Sequence, residues 1–339
     1  MKHRLTIATG LLAAAVLLPR TIQAQHPVSV PEMYTGSFGQ SSNSLPLGRT
    51  KGFIQYFIDG NHVGLRTPLV SQLGWRRSTS QTTSPAVTMM LEIYIGKTTA
   101  TFSTLNKTFA SNFNGAPTQF LALKGVNFPA YSSATTDPDV PGVWIRGDRP
   151  YIHTIGSSII IQVDNQTSPT AGAQTGWLCD SIPSTSGLVR TSDPSCGGTL
   201  STSYSNNTVT LGVTGAKPQF PIVYLLGLHL AAPLDFGSIF GPNCTAVVLP
   251  DITIGIAADA SGSHTFSFPL AAPTSDTLVI HCQAIHFHPT GNNAVTTNAT
   301  HLSLGSSGMC NYLYNWTTFT NTAQYGPYTT NRGPVHLFR

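Results

Sequence analysis

The chain is poor in charge. Lys and Arg number 17 and Asp and Glu 13, so 9% of its 339 residues are charged, against about 25% in ordinary soluble domains. Glutamate is nearly missing, with only Glu32 and Glu92. Coiled coils and long-helix proteins draw heavily on Ala, Glu, Lys, Leu and Arg, so those classes are excluded. Beyond the first residues, no run of Lys and Arg exceeds the pair Arg76-Arg77. A basic surface for nucleic acid or anionic lipid therefore has no support. No segment reaches the ~20 apolar residues of a membrane-spanning helix; the nearest, PIVYLLGLHLAAPL at 221–234, carries two Pro and a His. The patterns CxxC, G-x-S-x-G and H-E-x-x-H are absent, as is EF-hand spacing.

What is there points to β-structure. Ser and Thr together number 76, with 31 Gly and 24 Pro. The hydrophobic fraction is 40%, including 16 Phe, 11 Tyr and 4 Trp, which is enough apolar surface to argue against disorder. The length fits about two domains.

The first residues read as an export signal spanning 1–24. Lys2, His3 and Arg4 form a basic start, Leu5 to Leu18 an apolar stretch, and Ile22-Gln23-Ala24 a cleavage site before Gln25. That is the order of a secretory signal. Its removal leaves 14 bases against 13 acids, a net charge of +1. The expected location is secreted, or the cell envelope or surface.

Strand-like runs recur at 52–58, 87–96, 118–126 and 157–163. In the second of these, Met89, Leu91, Ile93 and Ile95 alternate with Met90, Glu92 and Tyr94, the pattern of a strand with one face on a core. A second set lies at 207–213, 220–228, 251–257, 263–270, 276–287 and 299–305. The turn ADASGSH between two of them reads as a hairpin signal. No window outside the leader shows a clean helical stripe. Many short strands bounded by Gly, Pro and Asn predict an all-β protein of two consecutive antiparallel β-sandwich domains, jelly-roll or Ig-like. The expected boundaries are 25–181 for the first domain, a polar linker at 182–195, and 196–305 for the second. An aromatic, Asn/Thr-rich tail at 306–339 reads as a last strand and a packed-down strap.

The five cysteines are Cys179, Cys196, Cys244, Cys282 and Cys310. Export puts them in an oxidising compartment, where most should pair. Spacing alone leaves 15 two-bridge schemes open.

A set of short matches narrows this. They are Cys196-Gly197-Gly198, Leu225-Leu226-Gly227, Pro233-Leu234-Asp235-Phe236, Gly241-Pro242-Asn243-Cys244, the stretch Asp259 to Phe268, Gln283 followed by Pro289-Thr290-Gly291-Asn292, and Ala299 to Gly305. Through them the C-terminal part resembles a module of exported β-rich proteins from planctomycete-type bacteria. The N-terminal part resembles a second segment of such proteins through GQSSNSLPLGR at 39–49, Gln55-Tyr56-Phe57 and Thr108 to Asn112. The resemblance covers roughly 35–305. It implies a secreted β-sandwich architecture and supplies no activity, since none of its motifs is catalytic. It also implies a Cys196–Cys244 bridge, because cysteines at those two places recur together. Cys179–Cys310 is the next expected pair, leaving Cys282 as a free buried thiol. The rival scheme joins Cys179 to Cys196 and Cys244 to Cys282.

The stretch HCQAIHFH at 281–288 is the most reactive-looking. His286 and His288 share a strand face about 7 Å apart and are the candidate metal ligands. The alternative is a strand whose histidines face solvent or lie in loops. Asp137 and Asp139 are the closest acidic pair and read as a solvated turn. Asp235 stands alone in an apolar stretch and reads as a turn carboxylate. Trp75, Trp144, Trp177 and Trp316 are scattered, as core residues are. No catalytic residue and no cofactor is assigned. The resulting expectation is a non-catalytic structural or adhesion-type protein whose partner is an extracellular protein or glycan. A carbohydrate-binding protein and a secreted hydrolase with its site between the domains are the alternatives.

Overall fold

The structure, a computed structural model, describes residues 27–39, 41–63, 69–167, 175–182, 187–192, 196–235, 244–273, 278–290, 293–305, 310–315, 321–328 and 333–339, with 232–235 as backbone only. The expected leader at 1–24 lies outside the described residues, as do Trp316 and the 241–243 turn. The described residues form antiparallel sheets and no α-helix, with single 3-10 turns at Glu32–Tyr34, Gly60–His62, Phe102–Thr104 and Phe109–Asn112. Among the described residues no helix is long and apolar enough to cross a membrane.

Two groups of sheets enclose the two larger apolar cores. The first group pairs a four-stranded and a five-stranded sheet. In the four-stranded sheet the order is Val28–Val30, His336–Phe338, Leu69–Trp75, Trp144–Ile152. In the five-stranded sheet it is Cys310–Asn315, Gly52–Ile58, Ile159–Asn165, Val87–Lys97, Thr118–Phe128. Alternation explains both. Met89, Leu91, Ile93 and Ile95 turn inward and meet Ile54, Tyr56, Ile161 and Val163 from the same sheet and Val70, Leu73, Trp75 and Phe338 from the other.

The second group is a six-stranded sheet built on the path Leu188–Ser192, Ala299–Leu304, Leu278–Phe287, Pro221–Gly227, Ile252–Ala257, with Ala294–Thr296 paired beside it. A three-stranded sheet, Thr199–Ser205, Thr208–Thr214, His264–Pro269, lies against it. Leu211, Val213, Ile222, Tyr224, Ala284 and Leu302 are among the residues of this core.

Three sequence expectations are corrected. Residues 188–192 lie within the expected linker yet form a strand, because their backbone completes the edge of the six-stranded sheet opposite 299–303. The turn at 258–263 does not close a hairpin. Asp259 caps it through Ser261 and Ser263, but the strand before it pairs with Pro221–Gly227 and the strand after it with Thr208–Thr214. The chain therefore crosses there from one sheet to the other. Finally, Cys179 and Cys310 are free buried thiols and form no bridge. Cys179 sits in a short strand paired with Ser41–Asn43, and Cys310 begins a strand paired with Gly52–Ile58; the Tyr56 phenol senses both. Cys282 is likewise a free, buried thiol. Cys196–Cys244 is a disulfide closing 48 residues of chain.

Candidate functional site

The outer face of the five-stranded sheet carries an unusual row of polar side chains. The strand register sets Gln55 opposite Gln162, Gln162 opposite Tyr94, and Tyr94 opposite Gln119. In the next row Phe53 stands opposite Asp164, and Asp164 opposite Glu92. Directly opposed residues bring their Cβ atoms to about 5 Å, so these side chains must interact. Gln55 Nε2 donates to Gln162 Oε1 at 2.8 Å, and Gln162 Nε2 to Asp164 Oδ1 at 3.0 Å. Tyr94 OH donates to Glu92 Oε1 at 2.7 Å and Gln119 Nε2 to the same oxygen at 2.6 Å.

The 3-10 turn Phe109–Asn112 closes one end of this face. Asn112 Nδ2 donates to Gln55 Oε1 at 2.9 Å, and Gln55 Nε2 also reaches Phe109 O at 2.9 Å. Phe53 and Phe109 lie with ring centroids 6.0 Å apart beside it. Glu92, Tyr94, Gln119 and Gln162 remain half-buried, so the other end is open to solvent.

Electrostatics sharpen the pair of acids. Burial, and then the Glu92 charge, raise the Asp164 pKa to about 7, while the Gln162 hydrogen bond opposes the shift. Burial and the bond to Glu92 raise Tyr94 to about 12. Near neutral pH the face thus holds the Asp164 carboxyl near half protonation beside the Glu92 carboxyl, the amides of Gln55, Gln162 and Gln119 and the Tyr94 phenol. Such a set donates and accepts at several points at once, which is what a polyol requires. Among the described residues no group of three or more His, Cys, Asp or Glu could hold a metal ion.

The residues singled out in the sequence lie elsewhere. His286 is buried, with Nε2 2.7 Å from Gly197 O and Nδ1 3.0 Å from Phe287 O. His288 Nδ1 accepts from Thr290 in a turn. Each imidazole is tied to nearby chain rather than aimed at a shared point. Asp137 Oδ1 accepts from Asp139 N at 2.9 Å, and Asp139 Oδ1 from Gly36 N at 3.2 Å. The Asp235 side chain lies outside the described residues. Trp75 and Trp177 are core residues. Tyr314 stacks on Tyr325 and Tyr328, with centroids at 4.9 and 5.9 Å. Tyr312 and Tyr314 stand opposite Tyr56 and Ile54, on the core side of their strand, so this stack closes the core's edge.

Sequence reasoning noticed Glu92 on the polar phase of its strand but not its partner. Asp164 lies one residue past the expected strand at 157–163. Period-2 alternation along IIIQVDN gives Gln162 and Asp164 the same face and is the signal that could have found it.

No family model matches the chain, and no curated protein does. Solved structures matched to it include β-glucuronidase from Ruminococcus gnavus in its apo form (7% identity, TM-score 0.16, covering 86% of this chain and 47% of that one). The same enzyme with D-glucaro 1,5-lactone gives 6% identity and the same TM-score, covering 86% and 46%. The chain spans about half the length of those structures. A TM-score that low carries no argument about fold or activity.

Proposed function

We propose that the protein is a secreted or cell-surface, non-catalytic protein of structural or adhesion type, built as two antiparallel β-sandwiches. We further propose that its extracellular partner is a glycan bound on the Glu92, Tyr94, Gln119, Gln162 and Asp164 face. The observation that carries the reading is this hydrogen-bonded row on a half-exposed sheet face. Its side chains hold one another in place, so little rotamer entropy remains to be lost on binding. Carboxylate and amide groups match vicinal hydroxyls, and Phe53 offers an apolar edge to sugar C–H groups. The leader at 1–24 supports export, and the low charge suits neutral sugars.

A glycan array on the chain from residue 25 tests this. Specific binding is expected, with Glu92→Gln at least tenfold weaker, or about 1.4 kcal/mol. Binding to no glycan, or binding unchanged in Glu92→Gln, overturns it. One observation favours a second reading, a secreted hydrolase: Glu92 and Asp164 face each other on adjacent strands, and burial raises the Asp164 carboxyl to about 7, where it could serve as an acid. Turnover in a glycoside hydrolase screen, abolished by Asp164→Asn, would move the assignment there.

A further inference from the structure

The six-stranded sheet has two unlike edges. At one, the buried Arg190 of Leu188–Ser192 turns to the chain at 34–39, donating to Gly39 O at 2.9 Å. At the other, Ile252–Ala257 pairs with Pro221–Gly227 on one side, and among the described residues no strand takes its free side. The ladder to 221–226 runs through six residue pairs without a bulge. Ile252 is 58% and Ile256 39% exposed. A Cβ added at Gly255 would meet nothing within 4 Å. Ile254, between the two exposed isoleucines, packs against the core beside Phe266 and Phe268.

The sequence of this edge is ITIGIA. Edge strands in soluble proteins are normally blunted by charge, proline, a bulge or a covering loop. This one has no charged residue, no proline and no bulge. It is a regular strand with unused ladder groups and an apolar stripe.

We infer that this edge is the docking site of a second copy of the chain, paired antiparallel through Ile252–Ala257 across a two-fold axis. The strand is self-complementary in that register. With the axis at Ile254, Ile252 falls opposite the second copy's Ile256, and Thr253 opposite its Gly255. All the isoleucines share one face, while the other face carries the small residues Thr253, Gly255 and Ala257. Asp251 falls opposite Ala257, so no like charges meet, and the net charge of +1 left after the leader adds little repulsion. An isologous contact of this kind closes on itself and yields a dimer rather than a filament. A seam of this length is short, so the association is expected in the micromolar range.

Sedimentation equilibrium of the chain from residue 25, from about 1 to 200 μM, tests the assignment. The expected result is a concentration-dependent dimer. Ile252→Lys with Ile256→Lys is expected to remain monomeric throughout and to keep the parent's circular dichroism, since the two side chains are 58% and 39% exposed at the sheet edge and a lysine stem can extend from there into water. Ile256→Lys alone is the second variant, expected to weaken the dimer at least tenfold should the double change disturb folding. A parent that stays monomeric to the highest concentration overturns the inference. So does a folded double variant that still dimerises, which would place the contact on another surface.

Discussion

Asp164 is a carboxyl group held where its charged form is disfavoured. It is 5% exposed, and burial, then Glu92, set its pKa at about 7 against an ordinary 3.8. A folded-state pKa above the unfolded one means that folding takes up a proton between the two values. The group's contribution to stability is full below about pH 3.8 and is lost as pH rises through about 7. Asp164→Asn removes the charge while keeping an oxygen for Gln162. The variant's stability relative to the parent is therefore expected to grow by about 2–4 kcal/mol from pH 4 to pH 8. Urea denaturation at the two pH values checks this, and a difference that does not change with pH would exclude the charge as its cause. The free thiols show the same physics. Burial pushes Cys282 up to about 12 and Cys179 and Cys310 well above the usual thiol range, so none of the three is a nucleophile in the native chain.

At the scale of elements, the C-terminal strands decide how the first group of sheets is closed. His336–Phe338 lies between Val28–Val30 and Leu69–Trp75, and Cys310–Asn315 adds the outer strand beside Gly52–Ile58. Val335, Leu337 and Phe338 are at most 1% exposed. Gly333 permits the approach, since a Cβ there would collide with the Cys310 sulfur. Phe338→Ala is expected to cost about 3–5 kcal/mol, read as a lower urea midpoint with an unchanged slope. A loss below about 1 kcal/mol would mean that the strand is an ornament of the sheet rather than part of its core. This element also marks what the sequence made legible. Alternation at 87–96, and the β-branched run at 157–163, gave those strands to within a residue or two, because inward and outward phases are written locally. The pairing of residues near 337 with residues near 29 and 74 is written nowhere locally, since ladder bonds are made by backbone that every residue shares. The hairpin expectation at 258–263 failed for the same reason: Asp and Gly specify a tight turn, not which sheet the next strand joins. The Glu92–Asp164 pair was half legible. Each acid could be placed on a strand face, but their opposition depends on register.

At the scale of the molecule, the two groups of sheets are joined by buried polar contacts as well as apolar ones. Arg190 of the second group donates to Gly39 O and lies 5.6 Å from the Tyr34 ring. Glu32, 2% exposed, accepts at 3.2 Å from Leu230 N, which lies in a two-stranded sheet, His229–Asp235 with Thr245–Leu249, packed on Leu225 and Ala299 of the second group. Behind them Asp180 accepts from Gly39 N and stands 3.9 Å from the Arg76 guanidinium, both side chains fully buried. Burial raises Asp180 to about 6 even with Arg76 beside it. Val279, from the second group's sheet, counts among the residues of the first core. Polar ties in such a dry place are worth little while intact and costly when one partner is removed, because the other is left desolvated and unpaired. Their energetic role is therefore coupling: opening either group exposes groups held by the other. The parent is expected to unfold in one calorimetric transition. Glu32→Ala with Arg190→Ala removes both cross-ties and leaves each apolar core intact, so the endotherm is expected to split in two, with the lower-melting part moved down by several degrees. A single endotherm in the double variant, at the parent's temperature, would show that apolar contact such as that of Val279 couples the groups without the charges.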